Sequence, residues 1–191
     1  MNKIIDVAIV FDIQALNEKY RNVSRNPNAP TAVDHDDVCL IAAMRHVPDL
    51  ATQATADLAL TALTGDIMRW RTVSFPGDGA QHAVVYKLQR FAGLPTTAAA
   101  QPKLARAWRA LPRLQADGSV DPHGGDGTRT LSYSVDCHVT GTGMERYQVW
   151  FYVAKGARGA ALNIQGYFYW DPSVTIYGGK QTADDRQPMN V

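Results

Sequence analysis

The chain has 191 residues, and 19 Lys and Arg against 18 Asp and Glu leave a formal net charge of +1. That balance supplies no overall field to draw it to nucleic acid or to an anionic membrane, and no apolar run approaches membrane-spanning length. A chain of this size buries roughly two-thirds of its unfolded surface without disulfides or metals, so one domain over residues 1–180 with a polar tail at 181–191 is expected.

In chain order, the dominant hydrophobic period is two. Lys3–Ile13 is mostly apolar on both faces and predicts a central strand. Gln14–Tyr20 follows as a short helix, and Asn22–Pro30 reads as a turn-rich loop because its Asn and Pro residues each favour turn geometry. Val38–Met44 is the next strand. Thr52–Leu63 alternates weakly up to a Gly65-Asp66 turn, and Ile67–Phe75 sets Met68 and Trp70 on one face against Arg69 and Arg71 on the other.

Val84–Phe91 and Thr130–Thr140 are further strands, the second with Tyr133, Val135, Cys137 and Val139 on one face and Ser134, Asp136, His138 and Thr140 on the other. Glu145–Ala154 and Ala161–Trp170 form a hairpin, and Val174–Tyr177 is the last strand. Residues 95–127 break the pattern. Leu104, Trp108 and Leu111 fall at helical spacing between Pro102 and Pro112, with Arg106 and Arg109 turned away, which predicts a short helix capping one end of the fold. The whole is all-β, an antiparallel, jelly-roll-like β-sandwich with one or two short helices.

Charge and cysteine usage narrow the setting. From Lys87 to Arg113 the chain carries Lys87, Arg90, Lys103, Arg106, Arg109 and Arg113 and no acid. No aromatic stacking platform accompanies these cations, and the apolar stripe is narrow, so solvated arginines are expected rather than a nucleic-acid or membrane patch. Cys39 and Cys137 sit in separate apolar-alternating runs and read as reduced, buried thiols. Asp6 and Asp12 interrupt the opening apolar run, unlike a signal peptide, and a cytoplasmic location is expected.

The stretch Asp34-His35-Asp36-Asp37 is the densest cluster of metal-ligating types. In an extended chain His35 and Asp37 share one side, which begins a zinc or manganese site, but such sites need three or four convergent ligands. His46, His82, His123 and His138 are scattered. The expectation is a solvated strand lip that discourages sheet-to-sheet pairing, with no cofactor and with His35 and Asp37 as the metal candidates. Arg69 and Arg71 have Asp171 or this lip as expected partners.

Ser134, Asp136 and His138 project from one strand face, but roughly 6.5–7 Å separates same-face neighbours along a strand. No nucleophile elbow accompanies them. A polar outer face is expected, and no residue is assigned a catalytic role.

The final hairpin is richer. Tyr147, Val149, Phe151 and Val153 alternate with Arg146, Gln148, Trp150 and Tyr152, and Leu162, Ile164, Phe168 and Trp170 alternate with Asn163, Gln165, Tyr167 and Tyr169. With the first set of each strand in the core, Trp150, Tyr152, Tyr167 and Tyr169 lie on the other face. They form an amphipathic surface suited to a protein partner or a sugar, or else another strand or residues 95–127 cover them.

Three segments carry a resemblance: Thr55–Arg71, containing GDIMRWR; Gly143–Val153, GMERYQVWFYV; and Gly166–Gly178, GYFYWDPSVTIYG. In order and spacing they resemble the AidA/PixA-type bacterial inclusion-body proteins, as do the opening MNKIIDVAIVFDIQAL and the NPNAPTAVDH loop, and residues 94–127 are least similar. The resemblance implies a β-sandwich, often self-associating, made abundantly and in some members under quorum-sensing control. It implies no established reaction. The expected function is a non-enzymatic, self-associating protein, a homodimer through the hairpin aromatics. The alternative is a glycan- or small-ligand-binding module, with or without a metal at His35.

Overall fold

The structure is a computed structural model that describes residues 2–75, 81–156 and 161–179. Eleven strands follow one another as β1 (Ile4–Asp12), β2 (Thr31–Ala32), β3 (Val38–Ala42), β4 (Asp57–Ala62), β5 (Ile67–Phe75), β6 (Gln81–Gly93), β7 (Gln101–Ala110), β8 (Gly127–His138), β9 (Gly143–Lys155), β10 (Asn163–Trp170) and β11 (Ser173–Gly178). Helix α1 (Ile13–Lys19) follows β1 directly, because the Asp12 side chain caps it by accepting from the Ala15 amide at 3.0 Å. The expected polar tail lies outside the described residues.

The strands form two sheets. One has the order β3-β1-β5-β8-β7, and the other runs β2-β10-β9-β11-β4 with β6 added along β9. β9 is 13 residues long, enough for β6 to pair along one edge while β10 and β11 divide the other edge between them. The sandwich is all-β as expected, and both sheets are mixed. β1 pairs with β5, β2 with β10 and β4 with β11 in parallel. β1 and β5 run parallel because the chain leaves their sheet for β4 before returning beside β1.

The inner faces meet in an apolar core in which Phe151 stacks on Phe168 at 5.2 Å, Phe11 lies 4.5 Å from Phe151, and Trp70 meets Tyr147 edge-on at 5.3 Å. Met68, Trp70, Val135, Val149, Phe151 and Phe168 are buried there, as period-two placement predicts. Ile164 is only half-buried and Leu162 is exposed. A register shift sets Ile164 opposite Ala154 but Gly166 opposite Val153, so strict alternation fails at that point. Cys39 and Cys137 are both free thiols.

Two expectations are corrected. Residues 101–110 form strand β7, paired with β8 from Gln101 opposite Asp136 to Ala110 opposite Gly127, and no helix. Leu104 and Trp108 are four apart, a spacing that satisfies a period of 2 as well as 3.6. Pro102 is tolerated because β7 is an edge strand. β8 pairs with β5 only from Val135 to His138, so the rest of β7 and β8 forms a two-stranded ribbon beyond the sandwich.

The second correction concerns charge. Arg69 donates from Nε and Nη2 to the two Asp136 carboxylate oxygens at 2.8 and 2.9 Å, Lys103 Nζ lies 2.8 Å from Asp136, and Arg71 pairs with Asp6 at 2.6 Å. Neither arginine reaches Asp171 or the 34–37 stretch through these contacts. Ser134 and Asp136 therefore lie buried under these basic side chains rather than on a solvated face.

Candidate functional site

The outer face of the six-stranded sheet gathers the aromatic side chains. Register sets Tyr167 opposite Tyr152 and Tyr169 opposite Trp150 across β9 and β10. On the other edge of β9, Val85 pairs with Phe151 and Lys87 with Trp150, leaving Tyr86 as an extra residue in β6. Its ring lies 6.2, 6.1 and 5.8 Å from those of Trp150, Tyr152 and Tyr167. Lys87 Nζ sits 4.0 Å from the Trp150 ring centre, a cation–π contact.

The Tyr86 hydroxyl donates to the Pro27 carbonyl at 2.8 Å, which ties the Asn- and Pro-rich loop to the rim of the cluster. Burial raises the Tyr86 and Tyr152 phenols above their ordinary range, with Tyr167 adding to both. Trp150, Tyr152, Tyr167 and Tyr169 are each half-buried. Tyr86 lies against Trp150, Tyr152 and Tyr167, whereas β7, from the 95–127 segment, belongs to the other sheet. Tyr86 escaped sequence reasoning. The sequence carries no signal for it, because Val84, Tyr86 and Leu88 alternate without a break, and only the pairing with β9 shows the inserted residue.

The aromatic face adjoins the root of the β7–β8 ribbon. Tyr133 donates to the Val85 carbonyl at 2.9 Å. A cleft of about 180 Å³ lined by Tyr86, Lys87, Pro102 and Tyr133 lies between the two. Along the ribbon, Leu104, Trp108 and Leu131 are 66%, 67% and 66% exposed, and Arg129 lies 5.0 Å from the Trp108 ring centre.

His35 and Asp37 do not converge. Residues 35–37 form one 3-10 turn rather than an extended lip, anchored by Trp170 Nε1 donating to the His35 carbonyl at 2.8 Å. His35 Nε2 lies 3.2 Å from Asp57 and its Nδ1 lies 3.7 Å from Asp171. Asp37 instead accepts from Lys19 at 2.8 Å and from the Tyr20 hydroxyl at 2.5 Å. Burial alone would raise the Asp37 carboxyl, but these two hydrogen bonds hold it below its ordinary value. Burial likewise opposes ionisation of Asp57, yet Ser173 and His35 lower it. Among the described residues no group of three or more His, Cys, Asp or Glu is placed to hold a metal ion.

No helix among the described residues is long and apolar enough to cross a membrane. No curated protein matches the chain. The fold is similar to a crystal structure of an inclusion body protein (PixA) from Burkholderia cenocepacia J2315, with 16% identity, a TM-score of 0.68, and coverage of 93% of this chain and 97% of that one. The model of the PixA inclusion body protein family matches residues 3–176. The chain belongs to that family.

Proposed function

We propose that the protein is a non-enzymatic, self-associating component of the cytoplasm that forms a homodimer through the surface running from the hairpin aromatics onto the β7–β8 ribbon. The observation that carries this reading is the exposure of Leu104, Trp108 and Leu131 on the part of the β7–β8 ribbon that, among the described residues, extends beyond the pairing with β5. An isolated two-stranded ribbon is marginal in water, and a second copy is the simplest cover, since a two-fold contact uses one patch twice. The inclusion-body character in the family's description fits a chain built to associate.

Register puts Arg106 and Arg129 on the same ribbon face as Leu104, Trp108 and Leu131, with Arg109 on the other, so the proposed contact is an apolar patch interspersed with cations. Unpaired Cys39 and Cys137 suit a reducing compartment. The non-enzymatic reading is supported at the one polar strand face with triad residue types. There Asp136 is engaged by Arg69 and Lys103, and Ser134 Oγ lies 3.5 Å from Asp136 with no base between them.

Sedimentation velocity tests this on the wild type, on Leu104→Ser with Trp108→Ser, and on Trp150→Ala with Tyr169→Ser. The expected result is a dimer in the wild type and a shift to monomer in both variants, larger for the ribbon pair. A monomeric wild type at high concentration, or two variants that dimerise unchanged, overturns the reading.

A further inference from the structure

A cavity of about 510 Å³ lies where the start of β1, the turn after β3 and the end of β4 meet, and it shares no lining residue with the aromatic face. Strand pairing brings these segments together. β3 runs antiparallel to β1 up to Ala42, opposite Val7, so the residues that follow return towards the start of β1. There residues 44–46 close a 3-10 turn, with the His46 amide donating to the Ala43 carbonyl at 2.8 Å and the buried Val47 anchoring the exit. Asp66 ties the other two segments to each other. Its Oδ1 accepts from the Lys3 amide at 2.8 Å and its Oδ2 from the Leu63 amide at 2.9 Å.

Basic side chains gather in the lining: Lys3, Arg45 and His46. Arg45 Nε donates to His46 Nε2 at 3.1 Å. That contact requires a lone pair on the ring nitrogen, so the imidazole is neutral and carries its hydrogen on Nδ1, as a further donor. It also holds the Arg45 guanidinium by its Nε alone and leaves both terminal NH2 groups uncommitted among the described residues. Lys3 and Arg45 are exposed, and neither forms an ion pair among the described residues.

Asp66 is the acid in the lining, but it is buried and both of its oxygens are taken by backbone amides. Its charge does not cancel the basic field. Burial lowers His46 below its ordinary value, and the Arg45 and Lys3 charges lower it further, each outweighing the Asp66 charge that raises it. Two cations against one carboxylate leave a single positive charge, since His46 is neutral. The lining is also partly aliphatic. Ile4 and Leu63 border the same space and are 43% and 38% exposed, so apolar surface lies beside the cations.

We infer that this cavity is a binding site for a small organic carboxylate, its oxygens accepting from the Arg45 guanidinium and the Lys3 ammonium and its short aliphatic body lying against Ile4 and Leu63. The planar guanidinium matches a carboxylate through two parallel N–H groups. A monoanion cancels the one positive charge, whereas a phosphate monoester, with a charge of about −1.5 to −2 at neutral pH, exceeds it beside Asp66. An amine meets two like charges, and an alcohol brings no charge. The volume falls within the range for small-molecule pockets, roughly 300–1,000 Å³.

The test is a titration followed by amide NMR and calorimetry, with n-hexanoate as the probe and n-hexanol, n-hexylamine, acetate and n-hexyl phosphate as controls. Hexanoate is expected to bind one per chain and to shift the amides of Ile4, His46, Leu63 and Asp66. Hexanol and hexylamine are expected to bind at least about tenfold more weakly, since charge-assisted hydrogen bonds are at stake. Acetate is expected to be weaker by about tenfold or more, because it lacks the methylene groups that the aliphatic wall covers. Arg45→Gln is expected to weaken hexanoate by about tenfold or more, and Lys3→Gln with Arg45→Gln to abolish binding. Both residues are exposed, so these changes leave the core untouched. Absence of hexanoate binding, equal binding of hexanol or acetate, tighter binding of hexyl phosphate, or unchanged affinity in the double variant overturns the proposal.

Discussion

Replacing Asp136 by Asn tests the one buried charge cluster that ties the ribbon to the sandwich. Asp136 is 1% exposed, receives two hydrogen bonds from Arg69, and has Lys103 of β7 at 2.8 Å. Removing one partner of a buried ion pair costs about 3–5 kcal/mol because the remaining charge loses its compensation. Arg69 and Lys103 are 19% and 46% exposed, so water recovers part of the loss, and the lower end of that range applies. The carboxyl group gives an independent figure. The Arg69 hydrogen bonds hold it down at about 2, against an ordinary 3.8, despite its burial and with Lys103 assisting. That difference is worth roughly 2 kcal/mol, less after screening at the exposed lysine.

A loss of about 2–3 kcal/mol at neutral pH is therefore expected, read as a lower urea midpoint at unchanged slope. The sign with pH follows from the depressed value. The contribution is present above the unfolded-state value near 3.8 and is lost as pH falls through about 2, so wild type and variant should converge in acid. A gap below about 0.5 kcal/mol at neutral pH, the scatter of an ordinary surface change, refutes the reasoning. So does a gap that stays constant down to strong acid.

Phe151→Ala removes a ring stacked on Phe168 and packed against Phe11, and should cost about 3–5 kcal/mol. In a melting experiment this is roughly 6–20 °C for a chain of this size, and a near-unchanged melting temperature would show that the residue is not in a closed core. Cys137, buried and pushed up to about 12, should resist iodoacetamide until the protein unfolds, while the partly exposed Cys39 reacts first; a disulfide between them in the native protein would contradict the structure. Metal analysis of wild type and His35→Ala should show no bound transition metal in either, because His35 is directed at Asp57 and Asp171 while Asp37 is held by Lys19 and Tyr20. One zinc per chain that disappears in the variant would show that these groups rearrange around an ion.

Several features were determined by the sequence itself because they are local. Alternation in Ile67–Phe75 put Met68 and Trp70 inside and both arginines outside, and the apolar opening run became a strand flanked on both sides. Local pattern also set the two faces of β9, and hence the outward aromatics. The tertiary structure decided whatever depends on register or on distant partners. A spacing of four between Leu104 and Trp108 is compatible with helix and strand alike, and only pairing with β8 resolved it. Insertion of Tyr86 and the register shift beside Gly166 are pairing events between separate strands, and they moved Tyr86 into the aromatic cluster and Ile164 out of the core. Asp136 found Arg69 and Lys103, and Glu145 found Thr96 and Thr97, across 33 to 67 positions of chain. Charge complementarity has no range along a sequence, since any acid can pair with any base that the fold brings within a few ångströms.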